Sequence, residues 1–233
     1  MTWVAGVDGC RRGWFIILRN TNGGETRHDG PVAHISHIVE IPEKPSIVAL
    51  DIPIGLLDHA QRGGRPCDQE ARTILMQPRA RSVFSPPVRS ALRHLEYKSA
   101  LEANRASSPD AVGISKQCFA LFDKIRQVDE WISGETQSRI IEVHPELCFL
   151  KMKGDVSLSY SKKKRQGMNE RFELLAKERF GEVIESAKRE TLRRDVAEDD
   201  ILDACAACWT ASRILKNQAC FVPKQSGGPR IWF

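Results

Sequence analysis

Near its start the sequence runs Trp3-Val4-Ala5-Gly6-Val7-Asp8-Gly9, in which five apolar or small residues lead directly into one carboxylate. A strand that is buried on both faces explains the apolar run, because such a strand needs no alternation with polar residues. It does not explain Asp8, since a carboxylate that has lost its hydration needs a cation or hydrogen-bond donors. Two interpretations are therefore open: Asp8 caps the turn at Gly9, or it belongs to a metal or phosphate site at a sheet.

The same pattern of one acid inside an apolar strand occurs twice more in the chain. Residues 47–55 read IVALDIPIG and place Asp51 after four apolar residues, and residues 140–146 read IIEVHPE and place Glu142 between Ile141 and Val143. Adjacent strands lie about 4.8 Å apart, so acids on neighbouring strands can converge on one divalent ion. The repetition favours the metal-site interpretation of Asp8.

A fourth group of acids lies in the last predicted helix, at about 196–215. Asp203 lies four residues after Asp199 and three residues after Asp200, so these acids share one helix face. Acids in a first helical turn commonly complement the helix dipole, which accounts for Asp199 and Asp200. It does not account for Asp203, which lies deeper and borders small residues that would pack on a sheet.

Together these acids predict a magnesium or manganese centre, because hard carboxylate oxygens suit these ions. Two such ions about 3.5–4 Å apart are a common device for phosphodiester hydrolysis, in which one activates water and the other holds the leaving oxygen. The predicted catalytic residues are Asp8, Asp51, Glu142 and Asp203, and Asp200 is added to them as a metal ligand.

The order of predicted elements indicates an α/β fold. Strands are expected at 3–8, 13–18, 26–29, 47–52 and 139–144, and helices at 32–39, 68–77, 88–103, 116–133, 169–179, 182–193 and 196–215. An antiparallel meander followed by helix-linked strands predicts a mixed five-stranded sheet with helices on both faces. We interpret residues 1–233 as one domain and residues 56–138 as a helical insertion within it.

Basic residues near these motifs are candidates for phosphate binding, because guanidinium groups match phosphate oxygens. For the arginines, local ion pairs on solvated helix faces are an equal alternative, and Asp68 with Arg72 is one such pair. His144 shares strand parity with Glu142, so it orients water or phosphate, or it is a satisfied histidine beside the sheet. The basic run at 162–165 is interpreted as a mobile solvated loop, with a binding arm as the less favoured alternative. The phosphate-binding candidates are Arg11, Arg65, Arg72, Arg89, Lys116 and His144.

Charge, cysteine content and the absence of certain motifs narrow the possible functions without selecting one. A net charge of +5 is compatible with a polyanionic partner, although many proteins without one share it. Seven scattered cysteines favour a reducing cytoplasm, and the absence of any apolar stretch of about 20 residues argues against a membrane protein. The chain contains neither a P-loop, nor a dinucleotide fingerprint, nor a serine nucleophile elbow, which argues against those enzyme classes.

Taken together, the motifs resemble the domain-of-unknown-function 429 family, whose members are predicted RNase H-like nucleases. The matching stretches span residues 6–204, and they are Gly6-Val7-Asp8-Gly9-Cys10-Arg11-x-Gly13-Trp14, Asp51-Ile52-Pro53-Ile54-Gly55-Leu56, Arg65-x-Cys67-Asp68-x-x-Ala71-Arg72, Ser82-Val83-Phe84-x-x-Pro87-x-Arg89, Glu142-Val143-His144-Pro145-Glu146 and Asp200-x-x-Asp203-Ala204. The resemblance implies an RNase H-like fold. It implies nuclease activity by analogy, because that activity is itself a prediction for the family.

The expected function is metal-dependent hydrolysis of nucleic acid or of another phosphodiester substrate, with Mg²⁺ or Mn²⁺ as cofactor. The alternative is a non-catalytic nucleotide- or nucleic-acid-binding protein on the same fold. A third interpretation is a phosphotransferase of the actin or sugar-kinase kind, which requires two such domains flanking ATP. The oligomeric state stays open, with a dimer among the options.

Overall fold

The computed structural model describes residues 1–132, 138–225 and 227–233. It contains a mixed five-stranded sheet in the order β3-β2-β1-β4-β5. Antiparallel pairing joins β1 to β2 and β2 to β3, whereas β4 lies parallel to β1 and β5 lies parallel to β4. The predicted mixed five-stranded sheet is thus confirmed. The strands are β1 (Trp3–Cys10), β2 (Gly13–Asn20), β3 (Thr26–Val32), β4 (Ile47–Leu50) and β5 (Ile140–Glu142).

The helices follow the predicted order, with several differences in extent. They are α1 (Pro66–Leu75), α2 (Tyr97–Ala106), α3 (Lys116–Phe119), α4 (Phe122–Trp131), α5 (Pro145–Met152), α6 (Arg165–Lys177), α7 (Gly181–Glu190) and α8 (Glu198–Leu215). Short 3₁₀ turns lie at Ile35–Val39, Arg79–Ser82 and Arg89–Arg93. None of the described helices is both long and apolar enough to cross a membrane.

Four local predictions were wrong. Pro145 was expected only to end the fifth strand, but it begins α5, because proline fits the first helical turn, where its missing N–H has no partner to lose. The helix predicted at 116–133 is divided into α3 and α4, and the one at 32–39 is a 3₁₀ turn. The helix predicted at 88–103 begins instead as the 3₁₀ turn at Arg89–Arg93 and continues as α2 only from Tyr97.

The described chain forms two compact units. The first comprises Met1–Ile52, Trp131–Cys220 and Trp232–Phe233, and it contains the five-stranded sheet with α5 to α8. The second comprises Pro53–Glu130 and Phe221–Ile231, and it contains α1 to α3 and most of α4. Two short strands near the end, β6 (Phe221–Val222) and β7 (Ile231–Trp232), pair with each other and were not predicted. The assignment of residues 56–138 as an insertion into a single domain stays a prediction.

The core of the first unit is the contact between α8 and the sheet. β1 is buried at seven of its eight positions, so both of its faces are covered. Residues Ala204 to Cys208 of α8 are all buried, and α8 packs on β1, β2 and β4. A Cβ atom built on Gly6 would lie 2.0 Å from the Cys208 nitrogen and 2.2 Å from the Ala204 oxygen. Only glycine at position 6 therefore lets the backbone of α8 lie directly on β1.

We predict that Gly6→Ala destabilises the protein by at least about 3 kcal/mol, since the new methyl group would meet helix backbone that cannot move aside without separating α8 from the sheet. The measurement is the free energy of unfolding in urea. Gly23→Ala is the matched control, because its Cβ would approach nothing closer than 3.5 Å. Equal stability of the two variants would contradict the proposed close contact.

Candidate functional site

Three of the predicted acids lie where parallel strands pair at one end of the sheet. Val7 of β1 pairs with Leu50 of β4, so Asp8 and Asp51 each follow one member of the same pair. The Asp51 N–H donates to the Val7 carbonyl oxygen at 3.1 Å, which extends the pairing past the end of β4. Glu142 pairs with Leu50 from the other side. The strand register therefore brings the three acids of the sheet to a common edge.

Helix α8 supplies the remaining acids. Asp200 lies in its first turn, and its Oδ2 atom accepts a hydrogen bond from the Ala197 N–H at 2.9 Å, so it caps the helix. Asp203 lies one turn further along and is buried, with 3% of its surface exposed. The close contact of α8 with β1 places Asp203 beside the acids of the sheet.

Burial and the charges of neighbouring acids both raise the pKa values of these carboxyl groups. Burial, and then the charges of Asp51, Asp203 and Asp200, raise the pKa of Asp8 well above its usual value. Burial, and then the charges of Asp203 and Glu142, raise the pKa of Asp51 in the same way. Burial is also the main cause that raises the pKa of Asp200 to about 6. The structure thus brings the five predicted metal ligands into one electrostatic cluster, which we call the acid cluster.

The residue that neutralises part of this cluster is Lys162, which precedes α6. Its Nζ atom lies 2.8 Å from Asp203 Oδ2 and 3.5 Å from Asp199 Oδ2. The pKa of Asp203 is raised by burial, and the Lys162 charge opposes this rise. The interpretation of 162–165 as a merely solvated loop was therefore wrong for Lys162, although its neighbours Lys163 and Lys164 are exposed. The only signal in the sequence was the need of several acids for a cation, which does not identify the lysine.

A buried ion pair lies next to the cluster and was also missed. Glu146 of α5 pairs with Arg171 of α6, and the Arg171 side chain is almost fully buried. Arg171 Nη1 donates to the carbonyl oxygen of Gly167 at 2.9 Å and contacts that of Tyr160 at 3.4 Å. The charge of Glu146 raises the pKa of Asp203. This pair therefore links the acid cluster to the segment that carries Lys162.

The donor chemistry of the cluster suits a divalent ion. Carboxylate oxygens are the ligands that Mg²⁺ and Mn²⁺ prefer. Asp203 Oδ1 is buried and has no hydrogen-bond partner in the structure, so one ligand-type oxygen is unsatisfied. Within the described residues, however, no three His, Cys, Asp or Glu side chains are arranged so that they could hold a metal ion. The chemistry fits, while the side chains are arranged around the Lys162 ammonium.

Two of the predicted phosphate-binding residues lie in the first unit. Arg11 is exposed in the turn between β1 and β2, three residues after Asp8. The adjacent Arg12 approaches Asp195, which precedes α8, at 3.7 Å. His144 is the N-cap residue of α5, two residues after Glu142. Their role in phosphate binding stays a prediction.

The other four candidates lie in the second unit, where three of them bind locally. Arg65 is almost fully buried and pairs with Asp68 at 2.7 Å, so Asp68 pairs with Arg65 rather than with Arg72. Arg72 donates to the Val83 carbonyl oxygen at 2.9 Å. The half-exposed Arg89 forms an ion pair at 3.0 Å with Asp129, and Lys116 begins α3. These contacts match the local-pair alternative for the arginines, and phosphate binding by the four stays a prediction.

Comparison with known proteins gave one match. A family model described as "Protein of unknown function (DUF429)" matches residues 6–226 of the chain. No curated protein and no solved structure matched it.

We predict that Asp8→Asn stabilises the metal-free protein at about pH 8. Native Asp8 keeps its proton to a higher pH than an unfolded aspartate, whose pKa is about 3.9. Wild-type stability therefore falls as the pH rises from the pKa of the unfolded aspartate to the raised pKa of native Asp8. Asparagine removes this cost and can still accept the hydrogen bond from the Gly9 N–H.

The measurement is the free energy of unfolding in a chelating buffer from about pH 4 to pH 8. The gain should shrink towards the acid end, where native Asp8 is protonated and the unfolded aspartate is about half protonated. The exposed Asp58→Asn serves as the control and should show no comparable gain. A pH-independent difference between Asp8→Asn and wild type would contradict the repulsion among these acids.

We predict that Arg65→Met destabilises the protein by about 3–5 kcal/mol, because it leaves the Asp68 carboxylate buried without its cation. Arg89→Met breaks a half-exposed ion pair and should cost about 1 kcal/mol or less. Urea unfolding of both variants measures the difference. Equal costs would show that Arg65 is not the structural cation of the second unit.

Proposed function

The chain belongs to the DUF429 family, whose description leaves its activity open, and we propose that it is a divalent-metal-dependent phosphodiesterase of RNase H-like architecture that hydrolyses nucleic acid. The observation that carries the proposal is the electrostatic coupling of Asp8, Asp51 and Asp203. Structural carboxylates commonly have one cation each, whereas here the charge of Asp203 raises the pKa of both Asp8 and Asp51, and the charge of Asp51 also raises the pKa of Asp8. Perturbed pKa values of this kind are typical of functional sites.

The architecture supports the RNase H-like assignment. The meander of β1 to β3, the parallel strands β4 and β5, and an acid-bearing last helix on the central strands are the features on which the resemblance rests. Asp8, Asp51 and Glu142 come from three neighbouring strands, and Asp203 comes from the helix packed on them. The acids thus come from rigid elements, which keeps their spacing fixed during catalysis.

In the proposed reaction, the residues of the chain position the reactants and the bound ion supplies the chemistry. Mg²⁺ or Mn²⁺, when bound, supplies a Lewis acid that activates water and stabilises charge on the leaving oxygen. Asp8 is oriented for this role by the Gly9 N–H, which donates to its Oδ1 atom at 2.7 Å. Asp200 is oriented by the Ala197 N–H, and Asp203 by the Lys162 ammonium. No nucleophilic side chain is required.

Exposed arginines near the acid cluster support a polyanionic substrate. Arg11 and Arg12 follow the Asp8 strand, and Arg193 and Arg194 precede α8. The contact of Arg12 with Asp195 brings these two segments together at 3.7 Å. Arginines next to a carboxylate centre would hold the phosphates beside a scissile bond. We therefore favour nucleic acid over a small phosphodiester.

A second candidate function is supported by a different observation. Lys162 is already paired with Asp203, and no metal-holding group occurs in the described part of the chain. A non-catalytic protein that binds a nucleotide or nucleic acid would keep an acid cluster that Lys162 partly neutralises, for structural reasons. A phosphotransferase of the actin or sugar-kinase kind is less well supported, because it needs a second domain of the same kind to enclose ATP.

The proposed setting is the cytoplasm. All seven cysteines are free, as expected for proteins in a reducing compartment.

We predict that Asp8→Asn lowers Mg²⁺- or Mn²⁺-dependent cleavage by at least about a hundredfold, since loss of residues that only support metal ligands already costs about 10–100-fold. The assay uses single- and double-stranded DNA, RNA and RNA–DNA hybrids with each metal. Asp58→Asn, purified identically, controls for contaminating nucleases and should retain activity.

The second candidate would replace the proposed hydrolase if wild-type protein cleaves none of these substrates with either metal, yet binds one of them in a gel-shift assay. Cleavage that survives in Asp8→Asn would show that the acid cluster is not the active site.

A further inference from the structure

Lys162 is the only lysine or arginine in the described part of the chain that the structure records in an ion pair with Asp203. Its Nζ atom lies 2.8 Å from Asp203 Oδ2, and its charge also lowers the pKa of Asp8 and of Asp51. An ammonium group with this reach occupies the kind of position among carboxylates that a metal ion would take.

The backbone around Lys162 is fixed by several specific contacts. A Cβ atom on Gly167 would lie 2.1 Å from the Ser161 carbonyl oxygen, so α6 approaches this segment as closely as glycine allows. The Glu170 carboxylate accepts hydrogen bonds from the Ser159 N–H at 2.9 Å and the Tyr160 N–H at 3.2 Å. Lys162 is therefore held at the cluster by residues that precede and follow it.

Asp203 divides its two oxygens between different environments. Oδ2 accepts the hydrogen bond from Lys162, whereas Oδ1 is buried and has no hydrogen-bond partner in the structure. One oxygen is thus neutralised by the chain itself, and the other is left for an external cation. The buried Oδ1 atom would otherwise carry an uncompensated desolvation cost.

The charges lead to the same conclusion. The five acids of the cluster, Asp8, Asp51, Glu142, Asp200 and Asp203, carry five negative charges when ionised, and Lys162 supplies one positive charge against them, which leaves a formal charge of −4. One divalent ion reduces this to −2. A second divalent ion would bring it to 0, but it would lie beside the Lys162 ammonium, where like charges repel.

We propose that Lys162 is a resident cation that takes the place of one of the two divalent ions expected at such a centre, so that the wild-type chain binds a single Mg²⁺ or Mn²⁺ ion. This inference rests on the proposed function, because it presupposes that the acid cluster binds metal. Lys162 is then a positioning residue, which fixes Asp203 Oδ2 and leaves Oδ1 for the ion. Removing its charge makes room for a second ion.

The test is the number of Mn²⁺ ions bound per chain, measured on the metal alone by titration calorimetry and by the electron paramagnetic resonance signal of free Mn²⁺. We expect about one ion on wild type and about two on Lys162→Met, which keeps most of the side-chain volume without the charge. The matched control is Lys163→Met, whose lysine is exposed and adjacent, and which should bind about one ion.

One ion on wild type and two on Lys162→Met support the proposal, whereas equal counts, or a wild type that binds no ion while the variant binds one, overturn it. Two ions on wild type also overturn it, while the proposed metal centre survives. No ion on either protein overturns both the lysine proposal and the proposed metal-dependent function. Circular dichroism confirms that Lys162→Met is folded, and Lys162→Gln serves as the second variant if it is not.

Discussion

The first unit depends on keeping several carboxylates together away from water. Burial raises the pKa values of Asp8, Asp51 and Asp203, and the charge of Asp203 raises those of Asp8 and Asp51 further. An arrangement of this kind costs stability unless cations or hydrogen-bond donors offset it. The positions of Lys162, Arg171 and the capping N–H groups follow from that requirement.

The cluster exists because two backbones lie unusually close. Gly6 has no side chain, and α8 presents small residues towards β1, so helix and strand approach to the limit that backbone atoms set. That approach carries Asp203 to the side of the sheet where Asp8 and Asp51 emerge. A larger residue at position 6 would move α8 as a whole, and Asp203 would leave the acid cluster with it. In this unit, the packing of α8 on β1 therefore also determines how close the acids lie to one another.

The two kinds of buried ion pair show different uses of charge. Arg65 and Asp68 neutralise each other completely in the second unit, and the pair caps the start of α1. The acid cluster, by contrast, has more carboxylates than cations. Proteins commonly accept such an imbalance where a ligand restores it, because the strained group binds that ligand more tightly than a neutralised one. The contrast separates a fully neutralised pair from a group of acids whose charge is left unbalanced.

Much of the fold could be derived from residue patterns. Apolar runs gave four of the five strands and the turn signal at residues 22–24 gave the third, helical spacing gave α6, α7 and α8, and the lone acids in apolar strands identified members of the cluster. These features are local, since each depends on residues within a few positions of one another. The start of α5 at Pro145 could not be separated from the end of a strand, because proline is compatible with both.

The sequence by itself determined the five strands of the sheet and most of the helices, and it singled out the acids of the cluster, because periodicity and polarity are properties of neighbouring residues. Only the tertiary structure decided which cation meets which acid. Lys162 and Asp203 are 41 residues apart, and Glu146 and Arg171 are 25 apart. Nothing in the local pattern distinguishes Lys162 from Lys163, since a long side chain finds its partner through the packing of distant elements. The identity of the cation beside the acids is therefore a property of the folded chain.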